Sequence, residues 1–224
     1  MQKVFIQRFA YFIPTEAQPK PDVSFVPMLT RRRLSNLSRM AVYASHKISK
    51  DDSGNPLPPC KITFASQSGE ITQQLKIAEI LIDTGKVSPS HFSSSVFNTP
   101  VANATILEKN TAGYSAIYGG KEAFRHGLSD CLAAMEIEPD LDRSFIFAEE
   151  LIPETYAPIA KVPYPNVVCA MALRLTKDES RADKRYKGFD LNLALANLGF
   201  LQANFNTASE EALAYINSIV LQCS

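Results

Sequence analysis

The chain lacks the short motifs that most often announce a chemistry. Its 224 residues contain no phosphate-cradling P-loop, no GxGxxG, no GxSxG and no HExxH. Those absences remove the commonest nucleotide, serine-hydrolase and zinc-protease readings. Histidine and cysteine are sparse. His46, His91 and His126 are scattered, and Cys60, Cys131, Cys169 and Cys223 form no CxxC pair. Such spacing makes neither a metal site nor a disulfide framework, so no metal and no cofactor is expected. Each cysteine sits beside apolar residues and reads as a buried reduced thiol. Charge of one sign is also missing, since 23 Lys and Arg balance 23 Asp and Glu. Without a net field, general binding to nucleic acid is not expected. No stretch has the length of a transmembrane helix. The opening "MQKVFIQRFAYFI" reads as a strand rather than a signal peptide, which leaves the cytoplasm as the expected location.

What is present describes a globular protein, with 46% hydrophobic and 21% charged residues. The length suffices for one large core, and no linker or repeat divides residues 1–224, so one domain is expected. Residues 3–13 and 60–66 read as strands, rich in β-branched and aromatic side chains. Between them, residues 35–49 place Leu37, Met40, Ala41, Ala44 and Ile48 at helical spacing, with Ser35 as N-cap. Residues 69–85 predict an amphipathic helix with Ile71, Leu75, Ala78, Ile80 and Leu81 near one side and Gly85 as its stop. Pro89 and Pro100 suit two further helix starts. Strands at 111–120, 143–151 and 167–176 follow, with a helix at 121–136 that sets Phe124, Leu128, Cys131 and Leu132 on one face. A last helix, at 209–222, takes Ser209 as N-cap. Alternating strands and helices followed by two successive strands favour an α/β layered domain with a mixed sheet.

One stretch asks for chemistry. "YGGKEAF" (118–124) is a tight Gly-Gly turn between a strand and a helix, where many enzymes raise a nucleophile above the sheet. The tip here carries Lys121 and Glu122. Three readings fit: an active site with Glu122 as general base and Lys121 as a point charge, a site that has lost its nucleophile, or a plain turn whose Glu122 complements the helix dipole. The run "TRRRLS" (30–35) offers Arg31, Arg32 and Arg33, either as a solvated helix lead-in or as a contact for an anion or acidic protein. The turn "SQSGE" (66–70) follows a strand and would line a cleft at its C-terminal end.

Four segments resemble, in order and spacing, the N-terminal half of a β-ketoacyl synthase: "VSFVPMLTRRRLSNLSRMAVYAS" (23–45), "ITFASQSGEITQQLKIAEIL" (62–81), "SPSHFSSSVFNTP" (88–100) and "YSAIYGGKEAFRHGL" (114–128). They are most similar to the short chain length factors of bacterial aryl polyene biosynthesis. The chain departs from that pattern at "SVFN", where Phe97 replaces a histidine, and at "TPVAN" in place of Ala-Pro-Ala-Gly.

The resemblance implies a thiolase-like half, a βαβαβαββ mixed sheet covered by helices, with a short C-terminal extension. It implies a heterodimer or higher heteromer with a complete β-ketoacyl-ACP synthase and contact with an acyl carrier protein. In that family the elbow carries a nucleophilic cysteine, and two histidines come from a second half. Here the nucleophile's place falls on Glu122, and a carboxylate cannot replace a thiolate as acyl acceptor. The implied role is a catalytically silent subunit that shapes the acyl tunnel. Its walls would use Gln67, Ile71 and Gln74 from the turn after the second strand, and Phe97 and Val101 from the helix before the elbow strand, with Phe97 as the bulky stop. Gly113, Tyr114, Ser115, Ala116, Ile117 and Tyr118 would form the edge that meets the partner. Arg31, Arg32 and Arg33 would meet the carrier's acidic surface. Two other expectations stay open: a stand-alone enzyme using Glu122, and a carrier-binding scaffold without a tunnel role.

Overall fold

The computed structural model describes residues 3–156, 167–191, 194, 205 and 207–222. Two apolar runs, β4 (Arg143–Glu149) and β5 (Cys169–Thr176), are buried at every position. Strands buried on both faces read as near-continuous apolar runs, here with the polar residues Arg143, Ser144, Glu149, Arg174 and Thr176 towards their ends, and these two are the centre of the sheet. Strands β1 (Phe5–Phe12), β2 (Lys61–Ser66) and β3 (Tyr114–Tyr118) complete it in the order β1-β5-β4-β2-β3. β2 runs parallel to β3 and β4, whereas β5 runs antiparallel to β4 and β1. The C-terminal ends of β2, β3 and β4 therefore open at one end of the molecule.

Alternation divides the core. Phe145 and Phe147 of β4 face one way, with Ala65, Met171, Leu173 and Leu175; Ile146 and Ala148 face the other, with Ile62, Phe64, Ala170 and Ala172. The first face is covered by α6 (Ala123–Ile137) and α7 (Ala208–Gln222), the second by α2 (Asn36–Ile48) and α5 (Thr99–Leu107). Shorter pieces complete the chain: α1 (Met28–Arg31), α3 (Ile71–Thr84) and α4 (Pro89–Ser93). The predicted faces of α2 and α6 are the buried ones. Ser35 caps α2 by accepting from the Ser38 amide, and Gly85 ends α3 with a left-handed φ of 68°. Cys60, Cys131 and Cys169 are buried free thiols, whereas Cys223 lies outside the described residues. The proline-rich loop expected at 153–166 also falls largely outside them.

Three expectations change. Ser209 is not the cap of the last helix. Thr207 is, since its hydroxyl accepts from the Glu210 amide while the Glu210 carboxylate accepts from the Thr207 amide, a capping box. Ser209 is instead buried and accepts from the Val167 amide. The C-terminal part is more than an extension, because Tyr215, Ile216 and Ile219 of α7 sit in the core beside Phe124. Finally, α3 buries only Ile71 of its apolar stripe, with Leu75 and Ile80 half-buried and Leu81 50% exposed.

The helix α6 lies unusually close to the sheet at Gly127. A Cβ there would stand 2.5 Å from Ala65 Cβ and 2.8 Å from Phe145 Cε2. Gly127→Ala gains up to about 1 kcal/mol of helix propensity, but the overpacking costs roughly 1–3 kcal/mol. The variant should unfold at lower urea than the wild type; an unchanged or higher midpoint would show that α6 can lift without cost.

Candidate functional site

The elbow forms where β3 ends. Tyr118 is followed by a 3-10 turn, Gly120–Glu122, and α6 begins at Ala123. Its two glycines answer different needs. Gly120 adopts φ +53°, and a Cβ on Gly119 would lie 2.9 Å from Ala123 Cα and 3.0 Å from His126 Nδ1. Glu122 takes the N-cap position of α6 at φ −93°, ψ 2°, where its charge stands at the positive end of the helix dipole although its side chain makes no cap hydrogen bond. Lys121 is exposed. Behind the turn, Arg125 Nε and Nη2 donate to Glu211 Oε1 at 3.2 and 2.6 Å, which ties α6 to α7. Burial pushes the Glu211 carboxyl upward, the Arg125 pair opposes that, and the Glu122 charge adds to it.

No thiol stands at this turn. Burial pushes Cys131 up to about 12 and raises Cys60 and Cys169 as well. A thiol held protonated is a poor nucleophile, and all three described cysteines are buried. A cleft of about 550 Å³ lies at the opposite end of the sheet, lined by His46, Glu108 and Arg174 among others, away from Lys121 and Glu122.

The β2–α3 turn stands beside the elbow, and buried carboxylates hold it. Glu149, fully buried at the end of β4, accepts from Ser66 Oγ at 3.0 Å, from the Gln67 amide at 2.6 Å and from the Ser68 amide at 3.2 Å. Glu70, also fully buried, accepts from the hydroxyls of Ser35 and Ser38 at 2.6 and 2.8 Å, linking α3 to the start of α2. Burial lifts both carboxyls to about 7 against these hydrogen bonds. It raises Glu150 too, against hydrogen bonds from Thr72. Sequence reading missed all three. The available signal was a pair of glutamates closing an otherwise apolar strand, and a glutamate directly after the "SQSG" turn.

The predicted wall residues divide between this turn and the core. Gln67 is buried, its side-chain oxygen accepting from the Ala208 amide at the start of α7. Ile71 is buried at the start of α3, and Gln74 donates to the Ser95 carbonyl. Phe97 lies on Gly69, where a Cβ would stand 2.4 Å from its Cδ2 atom, and meets Tyr118 edge-on at 4.7 Å between centroids. Val101 is fully buried in the core with α2. Residues Tyr114 to Ile117 are half-buried along the sheet edge, with Gly113 and Tyr118 exposed at its ends. Arg32 and Arg33 are exposed and Arg31 half-buried at the end of α1, and no ion pair engages them among the described residues.

The raised carboxyls set a pH dependence. Glu70 and Glu149 hold their protons more tightly folded, near 7, than unfolded, near 4.5. Between those values the native state binds more protons, so stability must fall as pH rises. Each group can contribute on the order of 3 kcal/mol, complete below pH ~4.5 and lost above pH ~7. Urea unfolding should show a midpoint that drops between pH 5 and 8. Glu149→Gln should shrink the drop while lowering stability throughout, because its amide confronts an N–H donor at roughly 1–3 kcal/mol. A flat profile in the wild type would contradict the raised values.

Comparisons with known proteins agree with this architecture. Residues 7–220 match the family described as beta-ketoacyl synthase, N-terminal domain. Among solved structures, the ketosynthase ApeO in complex with its chain length factor ApeC from Xenorhabdus doucetiae is similar at 25% identity and TM-score 0.63, covering 80% of each chain. A beta-ketoacyl synthase from Burkholderia phymatum STM815 shares the fold at 13% identity and TM-score 0.60, covering 80% of this chain and 60% of that one. The ishigamide ketosynthase/chain length factor does so at 12% and 0.59, covering 80% and 63%. The chain thus spans under two thirds of the length of those last two. No curated protein matches. A mixed five-stranded sheet, helices on both faces and a match running almost end to end place the chain in the β-ketoacyl synthase N-terminal domain family.

Proposed function

We propose that the chain is a catalytically silent ketosynthase-like subunit, a chain length factor, that pairs with a complete β-ketoacyl-ACP synthase and shapes the acyl tunnel in fatty-acid or polyketide-type synthesis of the aryl polyene kind. The observation that carries this reading is the elbow: Gly119 and Gly120 retain the tight turn, yet its tip offers Lys121 and Glu122 and no thiol. Acyl transfer needs a thiolate. A subunit that keeps this backbone without it is suited to position a chain rather than to bond it.

Its surface supports a partner. β3 is an edge strand with Tyr118 68% exposed, and α5 beside it exposes Ile106 at 73%. An unpaired edge beside apolar side chains favours association. Equal 80% coverage means that the matched chain of the ApeO–ApeC complex has about the length of this one. The aryl polyene assignment rests on the four segments of sequence resemblance. A cytoplasmic location is the one in which carrier protein and synthase would be met, and Arg31, Arg32 and Arg33 supply cations for an acidic carrier.

Co-expression tests the pairing. The chain should co-purify with a ketosynthase from its own source and support condensation only together with it. Activity of the purified chain alone on small thioesters would instead favour the Glu122 enzyme. Phe97→Ala should lengthen the products of the pair by one or more extension units, read by mass spectrometry; unchanged lengths would remove Phe97 from the tunnel. Replacing Arg31, Arg32 and Arg33 by glutamate should weaken carrier binding at least tenfold, an effect of about 1.4 kcal/mol, measured by titration at low salt.

A further inference from the structure

We infer that Glu149 is a positioning residue for the Phe97 ring, acting through Ser66 and Gly69. Its consequence for product length rests on the tunnel reading above, but its geometry does not.

The chain of contacts is continuous. The Gly69 amide donates to Ser66 Oγ at 2.9 Å. That hydroxyl has one proton, and it donates to Glu149 Oε2 at 3.0 Å. The same oxygen accepts from the Gln67 amide, and Oε1 accepts from the Ser68 amide. Four consecutive residues of the turn, 66–69, are therefore referred to one buried carboxylate. Gly69 is held at φ +57°, a conformation L side chains rarely adopt, and its bare Cα face is where the Phe97 ring rests. The ring then meets Phe64 of β2 at 6.1 Å and Tyr118 of the edge strand at 4.7 Å. Phe97 has no hydrogen bond of its own to place it. Its rotamer is set by the surfaces of Gly69, Phe64 and Tyr118, and Glu149 fixes the one of these that belongs to a turn rather than to a strand.

The ionised carboxylate, favoured above its raised pKa of about 7, is the group this task requires. It accepts on both oxygens, whereas glutamine would present an N–H to one of three donors. The Gln67 position extends the same control to α7, because its side chain accepts from the Ala208 amide. Glu149 thus anchors a turn that contacts both the Phe97 ring and the start of α7.

The test places 4-fluorophenylalanine at position 97 of the full chain and follows its fluorine resonance by NMR. Glu149→Gln and Ser66→Ala should each move the resonance by more than its line width, and the double variant should move it no further than the larger single effect. Gly69→Ala, whose Cβ would collide with the ring, is the positive control. Glu108→Gln loses contacts with His46 and Ser49 at the far end of the sheet and should leave the resonance in place. A resonance unmoved by Ser66→Ala and Glu149→Gln, even with a lowered melting temperature, would overturn the inference. Should Glu149→Gln fail to fold, Ser66→Ala, which removes a single hydroxyl, decides alone. In the complex with the synthase, Ser66→Ala should broaden the product-length distribution in the direction of Phe97→Ala. If Phe97→Ala leaves products unchanged, the tunnel reading fails while the fluorine shifts still decide the positioning role. If Phe97→Ala changes products and Ser66→Ala and Glu149→Gln do not, the positioning role fails and the tunnel reading stands.

Discussion

Two central strands with no exposed residue impose a demand on everything around them. β4 and β5 are buried at every position, so both faces of the sheet must be covered by apolar helix surfaces. α2 and α5 meet that demand on one side, α6 and α7 on the other. Each crossover returns the chain to the end where the parallel strands begin, so all of them finish at the opposite end. The turns that follow β2, β3 and β4 therefore gather there, and the elbow, the "SQSGE" turn and the glutamates of β4 become neighbours. A site at this end is a by-product of burying Phe145, Ile146 and Phe147.

The same burial has an electrostatic cost. Apolar strands that end in glutamate bring carboxyls into low dielectric, which favours their protonated form. The chain answers with donors rather than with cations at Glu149 and Glu70, using serine hydroxyls and turn amides. Those donors belong to the irregular segments that need holding. One arrangement both satisfies the buried groups and fixes the turn that supports Phe97.

Much of the architecture was legible in the sequence, because strands and helices write their burial as period. Leu37, Met40, Ala41, Ala44 and Ile48 marked the buried side of α2, and Phe124, Leu128, Cys131 and Leu132 that of α6. The two-glycine elbow was legible because positive φ and close backbone approach leave few alternatives to glycine. Periodicity misled at α3, whose apolar stripe is real but buries only Ile71 fully, leaving Leu75 and Ile80 half-buried and Leu81 exposed. Local chemistry misled at α7, where Ser209 looked like the cap that Thr207 and Glu210 provide. Both serine and threonine suit that position, and only the path of the chain selects between them.

By itself the sequence determined the order of elements, the buried faces of α2 and α6, and the absence of a thiol at the elbow. These follow from local pattern and residue identity, which need no knowledge of distant contacts. Tertiary structure alone decided that Glu149 reaches back 83 residues to Ser66, that Phe97 rests on Gly69, and that α7 completes the core. Those are pairings between segments far apart in the chain. They are selected by the sheet order, since β2 and β4 become neighbours only once β4 is inserted between β2 and β5.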